Sequence, residues 1–356
     1  ALRGMTVTLQ DQTLERMSPA LKRAHALFTK KLRDPLRARA AFDRIAALNL
    51  VLSDYEDESE LVRLSRTAGT GQAVPVSDDL WRVLSRAQEL ARRTGGAFDI
   101  TVGPYVQLWR RARRQRALPE PSRMEAARQA VGFEQLELDP VRRTALLRRP
   151  RMRLDLGGIG KGYALQEAIK VLDERGLCRA LATGGGDMVA GDPPPGKAGW
   201  RIEVAPLDVP DAPPAQFVFL RRQALATSGD LFQRVELGGR RYSHIVHPRT
   251  GMGLTDHSLV TVIARDGMTS DALSTAVSVL GPDSGVRLVD RERGAAVHVV
   301  REINGVLERR VSRRFPSRRM SRRMRLRQGA SLVKSPPLQQ GGGHRQRWFF
   351  CLLEPG

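Results

Sequence analysis

Residues 153–164, RLDLGGIGKGYA, constrain this chain more than any other stretch. Leu154 and Leu156 alternate as on a short strand. Gly157, Gly158 and Gly160 then form a turn, and a helix is expected to open at Lys161, Gly162 and Tyr163. Glycine at such a turn reaches backbone angles closed to other residues and lets a ligand come near the main chain. A helix N-terminus carries unpaired N–H groups and a partial positive charge, which suit an anion. Lys161 adds a mobile cation at the same place. Taken alone, the pattern is a tight strand-to-helix connection in a domain of mixed helices and strands.

With 356 residues the chain can bury a sizeable core, as one large domain or two closely joined ones. It has no run of eighteen apolar residues, so no membrane-spanning helix is expected. The opening ALRGMTVTLQ shows no signal peptide or lipobox and is expected to enter a strand over residues 6–9. Two cysteines, Cys178 and Cys351, imply neither a disulfide framework nor a thiolate metal site, and Cys178 is expected to be buried. The net charge of +21 is uneven: from Arg309 onward thirteen Lys/Arg face the single acid Glu354. More than half of the basicity therefore says nothing about the folded body.

Helical spacing dominates residues 14–52, with Ala41, Ile45, Leu48 and Leu52 on one stripe. Ser59 and Ser77 are placed to cap the next two helices, the second with Leu80, Val83, Leu84, Ala87 and Leu90 inside and Gly95 at its end. The basic run 110–116 reads as a solvated helix face. Strands are expected over 136–139 and 144–149, in 180–188, and over 200–204, 217–220 and 223–227. Between them, 205–216 is a proline-rich surface excursion. A closing hairpin, 295–300 with 306–310, turns at Asn304-Gly305. From Pro316 the pattern stops, and 316–356 reads as a basic, disordered tail or an out-of-frame read-through. Nucleic acid or anionic lipid would be bound only through the charge of that tail.

Two further stretches hold candidate chemistry. In SDALSTAVSVLG, Asp271 and Thr275 are four apart on a helix expected to be capped by Ser270. A carboxylate and a hydroxyl suit Mg²⁺; the same pair also serves a plain helix, through the dipole and a back-bond to the preceding turn. In SHIVHPRTG, His244 titrates near neutral pH and is a candidate for proton transfer. His247 lies three residues on, which along an extended stretch points it to the opposite face, so a His–His metal site is rejected.

TGGAFDITVGP (94–104), the glycine stretch, GGGDM (184–188), ATSGD (226–230), SHIVHPRTG (243–251) and SDALSTAVSVLG (270–281) follow one another in order. The series resembles the FAD:protein FMN transferase family, also known as the ApbE family, from about residue 5 to residue 315. The resemblance implies an α+β fold of mixed or antiparallel sheets with flanking helices, in two lobes with the flavin between them, over residues 1–315. It implies Mg²⁺-dependent transfer of FMN from FAD to a Ser or Thr hydroxyl of an acceptor flavoprotein, with AMP leaving. By the same resemblance Tyr55 packs on the flavin, Ala97, Phe98 and Asp99 run beside the adenosine, and Lys161 and Val246 touch FAD. Gly158 (by its carbonyl), Asp271 and Thr275 hold the metal, with the Ser274 carbonyl nearby, and His244 is the proton acceptor. The chain departs from the family pattern at Ile100 for proline, Gln166 for aspartate and His247 for aspartate. FAD hydrolysis to FMN and AMP, and FAD binding without catalysis, are the alternative activities. Relatives are commonly periplasmic or membrane-anchored.

Overall fold

The computed structural model describes residues 35–204, 206–207, 216–229, 234–303, 305–316 and 348–352. The strand expected over 6–9, the helical spacing before residue 35, most of the excursion 205–216, and the motif residues Asp230 and Asn304 lie outside them.

The chain enters through α1 (Pro35–Leu52), whose Ala41, Ile45, Leu48 and Leu52 are buried as their spacing predicts. Both expected serine caps are present. The Ser59 Oγ accepts the Val62 N–H at 3.1 Å to start α2 (Glu60–Arg66). After β1 (Val74–Pro75), the Ser77 Oγ accepts the Leu80 N–H at 3.3 Å to start α3 (Asp78–Arg93). Next come α4 (Gly103–Gln115), α5 (Pro121–Arg128), β2 (Leu136–Asp139) and β3 (Thr144–Leu147), and β1, β3 and β2 pair into a small antiparallel sheet.

Beyond the glycine turn runs α6 (Gly160–Glu174), followed by β4 (Ala180–Gly184) and β5 (Asp187–Ala190). These two form a hairpin through Gly185 and Gly186, whose φ values of 61° and 96° are the left-handed angles such a turn demands. Then come β6 (Trp200–Val204), β7 (Gln216–Leu220), β8 (Ala224–Gly229), β9 (Arg234–Leu237), β10 (Arg240–Ser243) and β11 (His257–Ala264). The chain closes with α7 (Gly267–Leu280), α8 (Pro282–Arg291), β12 (Ala296–Ile303), β13 (Val306–Val311) and β14 (Trp348–Leu352).

The main sheet is antiparallel with seven strands in the order β13-β12-β11-β8-β5-β4-β14. Its residues alternate by the period of two that a strand imposes. Ala182, Val189, Val260, Val262 and Val297 face α6 and α7, and they share one continuous core with α1, α2 and α3. Leu181, Met188, Leu225 and Ile263 face the other way, onto Trp200, Ile202, Val218 and Leu220 of the β6–β7 hairpin. With both faces covered, all eight residues of β11 are buried. No described helix is long and apolar enough to cross a membrane.

Several local expectations change. Leu154 and Leu156 are buried but do not sit in a strand: among the described residues the strand-like pairing of 153–155 is limited to the single bridge Val102↔Arg153, beside which the Asp155 N–H donates to the Ile100 carbonyl at 2.8 Å, while the Leu154 N–H goes to the Ser65 hydroxyl at 3.2 Å. ALATGGGDM is two strands, because the paired glycines fold it back. Ser270 is not a cap: α7 begins at Gly267, where the Asp266 carboxylate accepts the Thr269 N–H at 2.8 Å. Asp271 therefore lies inside the helix. Cys178 is half-buried. Finally, five residues of the stretch expected to be disordered form β14, opposite β4 with Phe350 across from Ala182. An edge strand leaves unpaired backbone groups that another segment can satisfy, and no sequence period announces that pairing.

Candidate functional site

The site forms where the first turn of α6 crosses the first turn of α7. Gly162 and Gly267 allow it. A Cβ on Gly162 would stand 1.9 Å from the Gly267 carbonyl oxygen, and one on Gly267 2.1 Å from the Gly162 carbonyl oxygen. Only residues without a Cβ let two backbones approach so closely. Gln166, where the family pattern has aspartate, supports the same junction by accepting the Gly267 N–H at 3.2 Å.

This crossing brings Asp271 to Lys161. The Lys161 ammonium lies 2.9 and 3.1 Å from the two Asp271 carboxylate oxygens and donates to the Gly157 carbonyl at 2.5 Å. The Gly162 N–H also donates to Asp271, at 3.1 Å. A second carboxylate, Asp187 at the start of β5, stands 3.4 Å from the ammonium. Asp187 is 3% exposed, and its Oδ2 accepts no hydrogen bond among the described residues. Burial and the neighbouring Asp271 push the Asp187 carboxyl well above its ordinary range, partly offset by Lys161. Burial alone would lower the Lys161 pKa, but the two carboxylates outweigh it and the net direction is upward.

Gly158, Phe98 and Thr275 meet beside this cluster. A Cβ on Gly158 would fall 2.9 Å from the Thr275 hydroxyl and 3.3 Å from the Phe98 ring. Five of the residues named from sequence (Gly158, Lys161, Asp271, Thr275 and Phe98) are thus assembled from three distant segments. Ala97 and Asp99 flank Phe98 and are buried. The Asp99 carboxylate turns inward, accepting both the N–H and the hydroxyl of Thr101 at 2.7 Å, so it organises its own loop.

Tyr55 is half-exposed, with the Arg110 guanidinium 4.0 Å over its ring centroid. Arg110 in turn bonds Asp54 at 2.5 Å and Asp155 at 3.1 Å. Asp155 accepts the Gly157 N–H at 2.8 Å, which ties Tyr55 to the glycine turn. Burial, then Asp155, raise the Asp54 pKa to about 6 against the pull of Arg110. Arg110 is therefore no part of a solvated face; its side chain is 20% exposed because α4 packs it toward these acids.

The 243–253 segment docks on α4. Val246 is buried with Tyr105 and Trp109 and bridges Gly253. The Trp109 indole donates to the Gly251 carbonyl at 2.7 Å, and Arg249 reaches the Gly95 carbonyl at 3.3 Å. His244 follows β10 and is solvent-exposed. His247 accepts the Arg249 N–H on Nδ1 at 3.2 Å, the turn contact an aspartate can also make. Burial, then the Arg249 charge, lower its pKa and favour the neutral ring that this acceptance requires.

Two carboxylates and a main-chain carbonyl around the ammonium, with the Thr275 hydroxyl beside Gly158, are hard oxygens, the donor set of Mg²⁺ or a similar cation. The buried Asp187 Oδ2, which has the 3.4 Å ion-pair contact with Lys161 but no hydrogen bond among the described residues, is the observation that most asks for one. No three His, Cys, Asp or Glu side chains converge among the described residues, so main chain and hydroxyl must contribute. Asp187, Asp155, Asp54 and Arg110 were missed as site residues. The first two stand inside quoted motifs, GGGDM and RLDLGG; nothing local marks the other two.

A sequence profile described as the ApbE family matches residues 6–299. The FAD:protein FMN transferase of Haemophilus influenzae is 31% identical over 265 residues, covering 72% of this chain and 76% of that protein. Its counterpart in Klebsiella pneumoniae is 32% identical over 275 residues, covering 75% and 77%. The solved flavin transferase ApbE from Vibrio cholerae superposes with a TM-score of 0.70 at 27% identity, over 79% of this chain and 89% of that one. The ApbE protein from Thermotoga maritima gives 0.68 at 29% identity, over 78% and 90%. The expected α+β architecture with antiparallel sheets and flanking helices is the one these structures share.

Proposed function

The chain belongs to the ApbE family of flavin transferases, and on that premise we propose that it moves FMN from FAD onto a Ser or Thr hydroxyl of an acceptor protein, with Mg²⁺, releasing AMP. The observation that carries the proposal is the convergence of Gly158 with Thr275 and of Lys161 with Asp271. Asp271, Thr275 and the Gly158 carbonyl would hold the ion, which when bound neutralises charge at the diphosphate. Tyr55 lays its free ring face against the flavin, and the 97–99 segment lines the adenosine side. Lys161 steadies phosphate charge. The acceptor oxygen forms a bond to the FMN phosphorus as the bond to the AMP oxygen breaks, and His244 takes the hydroxyl proton and passes it to water.

AMP release from FAD, measured with and without Mg²⁺ and with and without a flavin-accepting protein, tests this. Wild type should release AMP and label the acceptor only with Mg²⁺, and Asp271→Ala should lose at least about 100-fold. Equal rates in the two proteins would refute the metal assignment. Free FMN with an unlabelled acceptor would turn the reading to hydrolysis.

A further inference from the structure

We propose that Lys161 is the resident cation of this site and yields its place to the divalent metal, with Asp187 serving as an additional carboxylate of the metal-loaded site. The proposal rests on the metal reading above and adds to it a competitor and a residue that the motif does not assign.

The geometry is that of a cage built for more charge than it holds. An ammonium has three N–H donors. In this structure they face the Gly157 carbonyl and both Asp271 oxygens. Asp187 Oδ2 is left 3.4 Å away, buried and without a hydrogen bond among the described residues. Two carboxylates thus share one positive charge, and four oxygens share three protons. A divalent ion matches both shortfalls: it carries the second charge and takes six or more oxygens. A buried carboxylate left half-satisfied is expensive unless something completes it.

Lys161 is suited to leave. It is the second residue of α6, on a four-carbon stem, and its side chain is 17% exposed at the mouth of the cluster. Asp271 and Asp187 are suited to stay. Asp271 is inside α7 and pinned by the Gly162 N–H, and Asp187 is in a β-hairpin at 3% exposure. Metal entry therefore swings the ammonium outward, to where a diphosphate approaches. One exchange loads the metal and delivers Lys161 to the substrate, so metal and FAD bind cooperatively.

Mn²⁺ alone is the probe, titrated into the full chain without FAD and followed by the electron paramagnetic resonance of free Mn²⁺. Lys161→Met, which removes the competitor and keeps the stem, should bind Mn²⁺ at least about tenfold tighter than wild type. Asp187→Asn should bind several-fold more weakly than wild type. Equal or weaker binding by Lys161→Met overturns the exchange, and unchanged binding by Asp187→Asn removes that residue from the site. Wild type with FAD added separates the two layers: if it binds no Mn²⁺ even then, the metal reading itself fails; if it does while Lys161→Met gains nothing, only the exchange fails. Should Lys161→Met not fold, acetylation of Lys161 in the wild type, read by mass spectrometry, decides instead. Its rate should rise several-fold when Mn²⁺ is added, and an unchanged rate overturns the proposal.

Discussion

Gly162→Ala should be far more damaging than a glycine-to-alanine change in a helix has any right to be. The new Cβ would sit 1.9 Å from the Gly267 carbonyl oxygen and 3.1 Å from the Asp271 Cβ. A side-chain carbon needs at least about 3 Å from an oxygen, so α6 and α7 must part by about an ångström. Overpacking of that kind costs roughly 1–3 kcal/mol. Parting the helices also breaks the 3.1 Å bond from the Gly162 N–H to the Asp271 carboxylate. A hydrogen bond to a charged group is worth about 1.5–3 kcal/mol. Alanine's better helix propensity returns about 1 kcal/mol. The net loss is about 1.5–5 kcal/mol, a large part of the 5–15 kcal/mol typical of a folded domain. Gly160→Ala is the internal control. Two residues earlier in the same turn, its Cβ would meet only the Leu156 Cβ, at 3.6 Å. Urea denaturation followed by circular dichroism should give Gly160→Ala an unfolding free energy within about 1 kcal/mol of wild type and Gly162→Ala a clearly lower free energy and midpoint. If the two midpoints coincide, backbone contact does not set the spacing of the helices, and the account of how Asp271 reaches Lys161 is wrong.

Two other predictions address stability and flavin binding. His298 is buried, stacked on Phe315 with centroids 5.2 Å apart, and accepts from Arg309 at 2.9 Å; burial, then the Arg309 charge, lower its pKa from 6.5 to about 4. The unfolded chain thus takes the proton first, so this contribution is complete above about pH 6.5 and shrinks by about 1.4 kcal/mol per unit as pH falls toward 4. Thermal melts at pH 7 and pH 5 should show His298→Phe losing less stability than wild type, and parallel losses would refute the assignment. Tyr55→Ala should weaken FAD about tenfold in a flavin-fluorescence titration, since stacking on an aromatic is worth about 0.5–1.5 kcal/mol beyond its area; an unchanged dissociation constant would take Tyr55 out of the flavin site.

What the chain revealed by itself was whatever depends on near neighbours. Ser59 and Ser77 cap helices because a hydroxyl reaches a backbone N–H three residues on, and any reader of the sequence can count three. The stripe on α1 and the strand alternation follow from the same local periods. Order of motifs then named Gly158, Lys161, Asp271 and Thr275 together. Where a local rule failed, a contact from far along the chain had overruled it. Ser270 lost its capping role to Asp266 because Gly267 had to lie against Gly162, and Arg110 left the solvent because Asp54 and Asp155 were waiting beneath α4.

The charge balance of the site was decided by tertiary structure alone. Lys161 and Asp271 are 110 residues apart, and Asp187 comes from a third segment between them. Each is an ordinary charged residue by any local measure. Burial in one place, where water no longer screens them, turns them into a cage whose single ammonium leaves a carboxylate oxygen wanting a partner.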